Sequence, residues 1–396
     1  MERKLIITRQ NERIVTALFE NGRAVELGCY NENVPSLLGN IYIGRVKNVT
    51  RNIGAAFIEI SKGVTCYYPL DDCKRPIYTK KGKSPHLETG DELLVQVSRE
   101  AAKTKPPSVT ANLNFTGKYL VLTTGKQQVG VSAKLGPQIR CRLKTLIEES
   151  GIGEYGFIVR TNAGNASDRE ILREMETLKG HCQKLTERAQ FLSCFSLLSE
   201  PSPSWLEALR DTRTEGLSSI TTDDPELHGK MKEYLELHQP GDLQLLCLYK
   251  DALLPLDKLY NLGGELQNAL REKVWMKSGA YLVIQPTEAL TVIDVNTGKY
   301  ESKKKRQDTY LKINLEAAGE IARQLRLRNL SGIIVVDFIN MDSQEAKQEL
   351  MEYLEACLRQ DRIKTVLVDM TVLNLVEITR KKVRKPLAEQ MGEVGR

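Results

Sequence analysis

Two apolar runs in the last third of the chain each end in a carboxylate. LTVIDVN (290–296) carries Asp294 and Asn296, and GIIVVDFINM (332–341) carries Asp337. A charge is costly to bury alone, so each Asp is expected at a strand's end, facing a cleft. Strand alternation puts Asp294 and Asn296 on one face. If the two strands are neighbours, three oxygen-bearing side chains converge. Such a set suits magnesium, which prefers hard oxygen ligands and uses only one or two protein carboxylates. It could polarise a phosphodiester and activate a water. A second reading stands beside this one: an Asp that closes a buried strand also commonly caps a following helix or pairs with Arg.

Other chemistries find little support. The eight cysteines are scattered with no CxxC pair, which argues against a zinc ribbon and for reduced packing thiols. His86, His181, His228 and His238 form no ligand-spaced set. There is no Ser–His–Asp or Cys–His arrangement, no GxxxxGK[ST] phosphate loop and no strand followed by GxGxxG. The net charge of +6 permits nucleic-acid binding without requiring it. Its distribution says more, because KKKR (303–306) and RKKVRK (380–385) flank the Asp strands. Each run alone reads as a solvated face; together, around one metal site, they favour phosphate contacts.

The elements that must position these residues follow from pattern. With 396 residues the chain exceeds one ordinary core and suggests two to four units. Its 41% apolar and 27% charged shares are those of a globular protein. No run approaches the ~20 apolar residues of a membrane span, and MERKLIITRQ lacks a signal-peptide core, so a cytoplasmic location is expected. Residues 1–35 read as strands, with Asn21-Gly22 as a hairpin turn. GNIYIGRVKNVTRNIGAAFIEI (39–60), DELLVQVSRE (91–100) and KYLVLTT (118–124) suggest a small barrel of the OB type, with a basic loop at 73–90. Phe57, Tyr67 and Tyr68 fall on its strands. Adjacent Tyr67 and Tyr68 point to opposite faces, which leaves one outside, where an aromatic can stack a nucleobase. GFIVRTNAG (156–164) is a buried strand ending in a polar turn that carries Arg160 and Thr161. Residues 166–190 form an amphipathic helix with a Ser167/Glu170 capping box, in which Gly180 marks either a bend or a loss of helix stability. DLQLLCLY (242–249) and TVLVDMT (365–371), with Asp369, read as strands, and 310–330 as a helix. Strand–helix–strand order around the Asp strands predicts an α/β domain.

TEALTVIDVNTG (287–298) and NLEAAGEIARQLRLRNLSGIIVVDFINM (314–341) closely resemble the signature of the ribonuclease E/G family. GNIYIGRV, GAAFIEI, GFIVRT and ITRKKVRKPL follow in that family's order, so the resemblance covers essentially the whole chain, more weakly in 165–275. It implies an α/β multi-subdomain fold. An RNase H-like subdomain (1–35 and 195–275) would carry an inserted OB-fold RNA-binding domain (36–118) and a 5′-sensor (119–194). A DNase I-like catalytic subdomain (276–396) would follow.

The resemblance further implies a magnesium-dependent endoribonuclease of single-stranded RNA, mRNA or rRNA precursors, that favours 5′-monophosphorylated ends and leaves a 3′-hydroxyl and a 5′-phosphate. Asp294 and Asp337 would hold Mg2+, and Asn296 would orient the hydrolytic site. Arg160 and Thr161 would engage the 5′-monophosphate, with Gly125 and Val129 near the sensor. Phe57 and Tyr67 would contact the strand, joined by Lys299 just after the first Asp motif. Many members join two chains through zinc on a CPxC motif after the TRK segment. Residues 384–396 carry no cysteine, so a homodimer, if formed, is expected without that link. The alternative function is an RNA-binding protein of the same fold with weak or no turnover, acting in rRNA maturation or ribosome assembly.

Overall fold

The computed structural model describes residues 2–32, 37–72, 74–101, 105–251, 253–298 and 306–392. They form two compact units: 1–32, 216–233 and 241–396 in the first, and 33–215 and 234–240 in the second.

The first unit opens with an antiparallel meander of β1 (Arg3–Gln10), β2 (Arg13–Glu20) and β3 (Arg23–Asn31). Asn21 and Gly22 both take positive φ, the geometry of a tight hairpin turn that Asn-Gly favours.

In the second unit, β4 (Ile41–Thr50), β5 (Ala55–Ser61), β6 (Val64–Pro69), β8 (Glu92–Arg99) and β9 (Ser108–Thr110) close into a five-stranded barrel, because β4 pairs with both β5 and β8. Strands β7 (Tyr78–Lys80) and β14 (Leu197–Ser199) extend it. Alternate residues including Val46, Ile58, Cys66, Tyr68, Val95 and Val109 fill its interior. A second sheet has the order β10-β11-β13-β12, from β10 (Asn114–Thr116), β11 (Leu120–Thr123), β12 (Val129–Val131) and β13 (Gly156–Val159). Helices α1 (Pro137–Glu149), α2 (Asp168–Ala189) and α3 (Leu206–Asp211) complete this part of the chain. Both arms of the Ser167/Glu170 capping box form. Helix α2 runs unbroken through Gly180, with an apolar stripe from Ile171 to Ala189 buried along its length.

The chain then returns to the first unit. β15 (Leu217–Thr222) adds parallel to β1, and β16 (Leu246–Leu248) parallel to β15. The strand expected over 242–249 shrinks to β16, since Pro240–Leu245 winds into a 3-10 turn. Helices α4 (Pro225–His238), α5 (Leu256–Leu259) and α6 (Leu262–Leu270) occupy the connections.

The Asp strands lie in a six-stranded sheet of order β17-β18-β19-β20-β22-β21. Its strands are β17 (Lys273–Trp275), β18 (Tyr281–Pro286), β19 (Leu290–Asn296), β20 (Gly332–Asp337), β21 (Thr365–Met370) and β22 (Leu375–Arg380). Helix α7 (Arg306–Leu327) connects β19 to β20, which pair in parallel, and α8 (Gln344–Arg359) follows. Ile284, Ile293, Val295, Ile334, Val336 and Ile378 pack against Ile313, Ile321, Leu350 and Leu354 of these helices. The alternate positions Val292, Ile333 and Val366 are exposed, so this sheet is covered on one face only. No helix of the described residues is long and apolar enough to cross a membrane.

Candidate active site

Asp294 and Asp337 are direct partners in the parallel β19–β20 ladder. Their backbones are therefore one strand spacing apart, about 4.8 Å, with both side chains on the open face. Asn296, two residues along β19, donates from Nδ2 to Asp294 Oδ2 at 2.7 Å. The three side chains that the alternation pattern aligned do converge. Asp369 does not join them: it lies opposite Glu377 in β22, level with Val335 rather than Asp337.

Two features hold the ends of these strands. Asn314 of α7 is fully buried and clamps the backbone just beyond Asp337: it donates to the Ile339 carbonyl (2.8 Å) and accepts from the Ile339 N–H (3.1 Å). Gly298, just after Asn296, has φ +59°, and a Cβ there would collide with the Gly279 carbonyl oxygen.

Among the described residues no basic side chain pairs with Asp294 or Asp337. Two adjacent carboxylates without a counter-charge repel each other, and a cation between them relieves this. The donors are carboxylate and amide oxygens without thiolate or imidazole, which fits magnesium and does not resemble a zinc site.

The barrel aromatics divide as alternation requires. Tyr68 is 2% exposed inside the barrel, whereas Phe57 and Tyr67 are half-buried. Phe57 and Tyr67 are cross-strand partners, with ring centroids 6.4 Å apart in an edge-on arrangement.

Arg160 and Thr161 sit where β13 gives way to a 3-10 turn. The Arg160 guanidinium donates to the Gly117 carbonyl (2.6 Å) and to Asp211 Oδ1 (2.8 Å), which fixes the plane of its fork. The Thr161 hydroxyl lies 3.0 Å from that of Ser132, just beyond β12. Behind them, Glu174 of α2 accepts the N–H groups of Lys118, Tyr119 and Leu120 at 2.7–2.8 Å. Burial pushes the Glu174 carboxyl above the usual range, although these N–H groups and Arg160 act against it. Val129 lies in β12 beside β13. Gly125 lines a cavity of about 240 Å³ with Lys74, Arg75, Lys126 and Glu154.

The basic segments are only partly available. Lys299 and residues 303–305 lie outside the described residues. In RKKVRK, Arg380 is 4% exposed and bonds Asp361 at 2.6 Å, Asn329 and the Leu330 carbonyl. Arg384 reaches the Tyr30 hydroxyl at 3.2 Å. These two arginines hold the fold together, contrary to the expectation of a run of phosphate contacts, while Lys381, Lys382 and Lys385 remain exposed. Asp211, Ser132 and Glu174 were missed by sequence reasoning. They come from separate elements, and only the Arg210-Asp211 charge pair, at the end of a short helix, gave any local signal.

Residues 114–383 match the model of the ribonuclease E/G family. The chain is 32% identical to ribonuclease G of Haemophilus influenzae over 394 residues, covering 96% of this chain and 79% of that protein. It is 31% identical to ribonuclease G of Escherichia coli K12 over 398 residues (98% and 81%). It is 32% identical to ribonuclease E of a Nostoc species over 406 residues (99% and 58%).

Proposed function

The chain belongs to the ribonuclease E/G family and is an endoribonuclease, and from that premise we propose that it cuts single-stranded RNA with magnesium held by Asp294 and Asp337. The observation that carries this is the directly opposed carboxylate pair on an open sheet face, which no basic side chain among the described residues neutralises. Bound there, magnesium would offset charge growing on the phosphate oxygens and lower the pKa of a water.

The protein's own residues do the rest. Asp294 and Asp337 supply hard oxygens, and the Asn296 amide fixes the Asp294 carboxylate in one orientation. Asn314 holds the chain after Asp337 so that the pair keeps its register. Phe57 and Tyr67 offer ring surface to the bases of the strand, which is sequence-tolerant. Arg160 and Thr161 bind a terminal 5′-phosphate, the Arg through a forked, charge-assisted contact. In-line attack on phosphorus leaves a 3′-hydroxyl and a 5′-phosphate.

In this reading the sheet of β1–β3, β15 and β16 belongs to the RNase H-like part, and that of β17–β22 is the DNase I-like catalytic part. The enzyme acts in the cytoplasm on mRNA and rRNA precursors.

The test is cleavage of one unstructured RNA bearing either a 5′-monophosphate or a 5′-hydroxyl, in magnesium or EDTA. Magnesium-dependent products, formed faster from the monophosphate, are expected. Asp294→Asn should lower the rate by roughly a thousandfold while RNA affinity in EDTA is unchanged. RNA binding with no products in magnesium would sink the catalytic reading and favour a binding protein without turnover.

A further inference from the structure

The face that carries the carboxylates also carries an aromatic pair. The chain has two tryptophans. Trp205 is 1% exposed, whereas Trp275, on the edge strand β17, is 61% exposed. The ladders fix what lies beside it. Trp275 pairs with Tyr281, and Tyr281 with Asn296. In the adjacent row Lys273 pairs with Val283, Val283 with Asp294, and Asp294 with Asp337. Direct cross-strand partners share a face. Trp275 and Tyr281 thus extend the row of Asn296, and Lys273 heads the row of the two carboxylates. Two strand spacings, roughly 10 Å, separate Trp275 from Asn296.

The three side chains are assembled as a group. The rings of Trp275 and Tyr281 are 5.1 Å apart, tilted by 57°. The Lys273 ammonium lies 4.3 Å from the Trp275 centroid and 3.6 Å from that of Tyr281. Tyr281 is half-buried at the Gly298 turn and supports its neighbour. Most of Trp275 faces water, although a large aromatic gains most when covered. A nucleotide has both a π face and a phosphate. An exposed indole with an ammonium over its ring complements both, and the cation also offsets the repulsion of a phosphate by Asp294 and Asp337.

We propose that Trp275, supported by Tyr281 and Lys273, is a stacking platform for an RNA base flanking the scissile phosphate. This rests on the reading of Asp294 and Asp337 as the cleavage centre. The platform fixes the approach of the strand to the carboxylates by gripping one base beside the cut, and it does so without selecting that base's identity.

The direct test is fluorescence of the whole protein with a short 5′-hydroxyl RNA in EDTA, where nothing is cleaved. RNA should quench the exposed, red-shifted emission of wild type, and Trp275→Phe should remove that component. In magnesium, Trp275→Ala should raise KM roughly ten- to a hundredfold with a smaller change in kcat, and Trp275→Phe should restore most of the loss. An abasic nucleotide scanned across the cleavage site should cost wild type the same factor at one position beside the cut and cost Trp275→Ala nothing further there. The proposal is overturned if bound RNA leaves the exposed emission unchanged, or if Trp275→Ala keeps the wild-type KM. The ring would then belong to a protein contact. If magnesium yields no products even from wild type, the nuclease reading fails, while quenching still decides whether the ring stacks on RNA.

Discussion

Arg160 has donors to spare, and how it uses them decides what it can recognise. Two of its N–H directions go to the Gly117 carbonyl and to Asp211, so the plane of the guanidinium is set before any ligand arrives. Lysine carries the same charge on a flexible stem and cannot satisfy both acceptors while presenting a fork to phosphate. Arg160→Lys should therefore lower the ratio of cleavage rates for 5′-monophosphate over 5′-hydroxyl RNA by about tenfold, measured on matched substrates. An unchanged ratio would mean that Arg160 serves only the turn in which it sits. At this scale the sequence was uneven as a guide. Asp294, Asn296 and Asp337 could be read because apolar strands ending in carboxylates are costly and alternation is rigid. Lys273, Trp275 and Tyr281 could not, since their common face depends on a ladder that joins three strands.

The turn that carries Gly117 belongs to an element-level device. Glu174, one turn beyond the capping box of α2, gathers the N–H groups of residues 118–120, and Gly117 is the residue whose Cβ would collide with its carboxylate. Helix, turn and Arg160 thus form one chain of contacts. Glu174→Ala leaves three backbone donors short of partners, at a cost of about 2 kcal/mol. A fall in Tm of roughly 5 °C is expected, together with weaker discrimination of the 5′-phosphate; a loss of stability alone would show that the turn does not govern Arg160. The helix itself was legible from Ser167, Glu170 and its apolar stripe, because capping and periodicity are local. One local signal was overridden and another misled. Gly180 disfavours a continuous helix, yet α2 runs unbroken through it on its packed stripe. DLQLLCLY looked like a strand, but Pro240-Gly241 starts a 3-10 turn that consumes its first half.

At the scale of the molecule, the first unit is assembled from segments far apart in the chain, and that assembly was invisible to local pattern. Besides β2, β1 pairs with β15, more than two hundred residues later. Charge reinforces the join. Arg326 of α7 bonds Glu20 at 3.0 Å and Glu26 at 3.2 Å, and Arg362 bonds Glu26 at 3.0 Å. Burial alone would raise the Glu26 carboxyl, but Arg362, Arg326 and Arg384 hold it down at about 2. The folded value lies below that of an unfolded chain, so the stabilisation is fully present above the ordinary carboxylate range of about 4.3. It is lost as pH falls from there toward 2. Urea unfolding across this window should show wild type losing stability steadily. Glu26→Gln should start about 3 kcal/mol lower at pH 7, because Arg326 and Arg362 lose the carboxylate they share, and should decline less steeply. Parallel pH profiles for the two proteins would mean that Glu26 does not couple the meander to α7, since other carboxylates titrate alike in both and only their difference isolates this network.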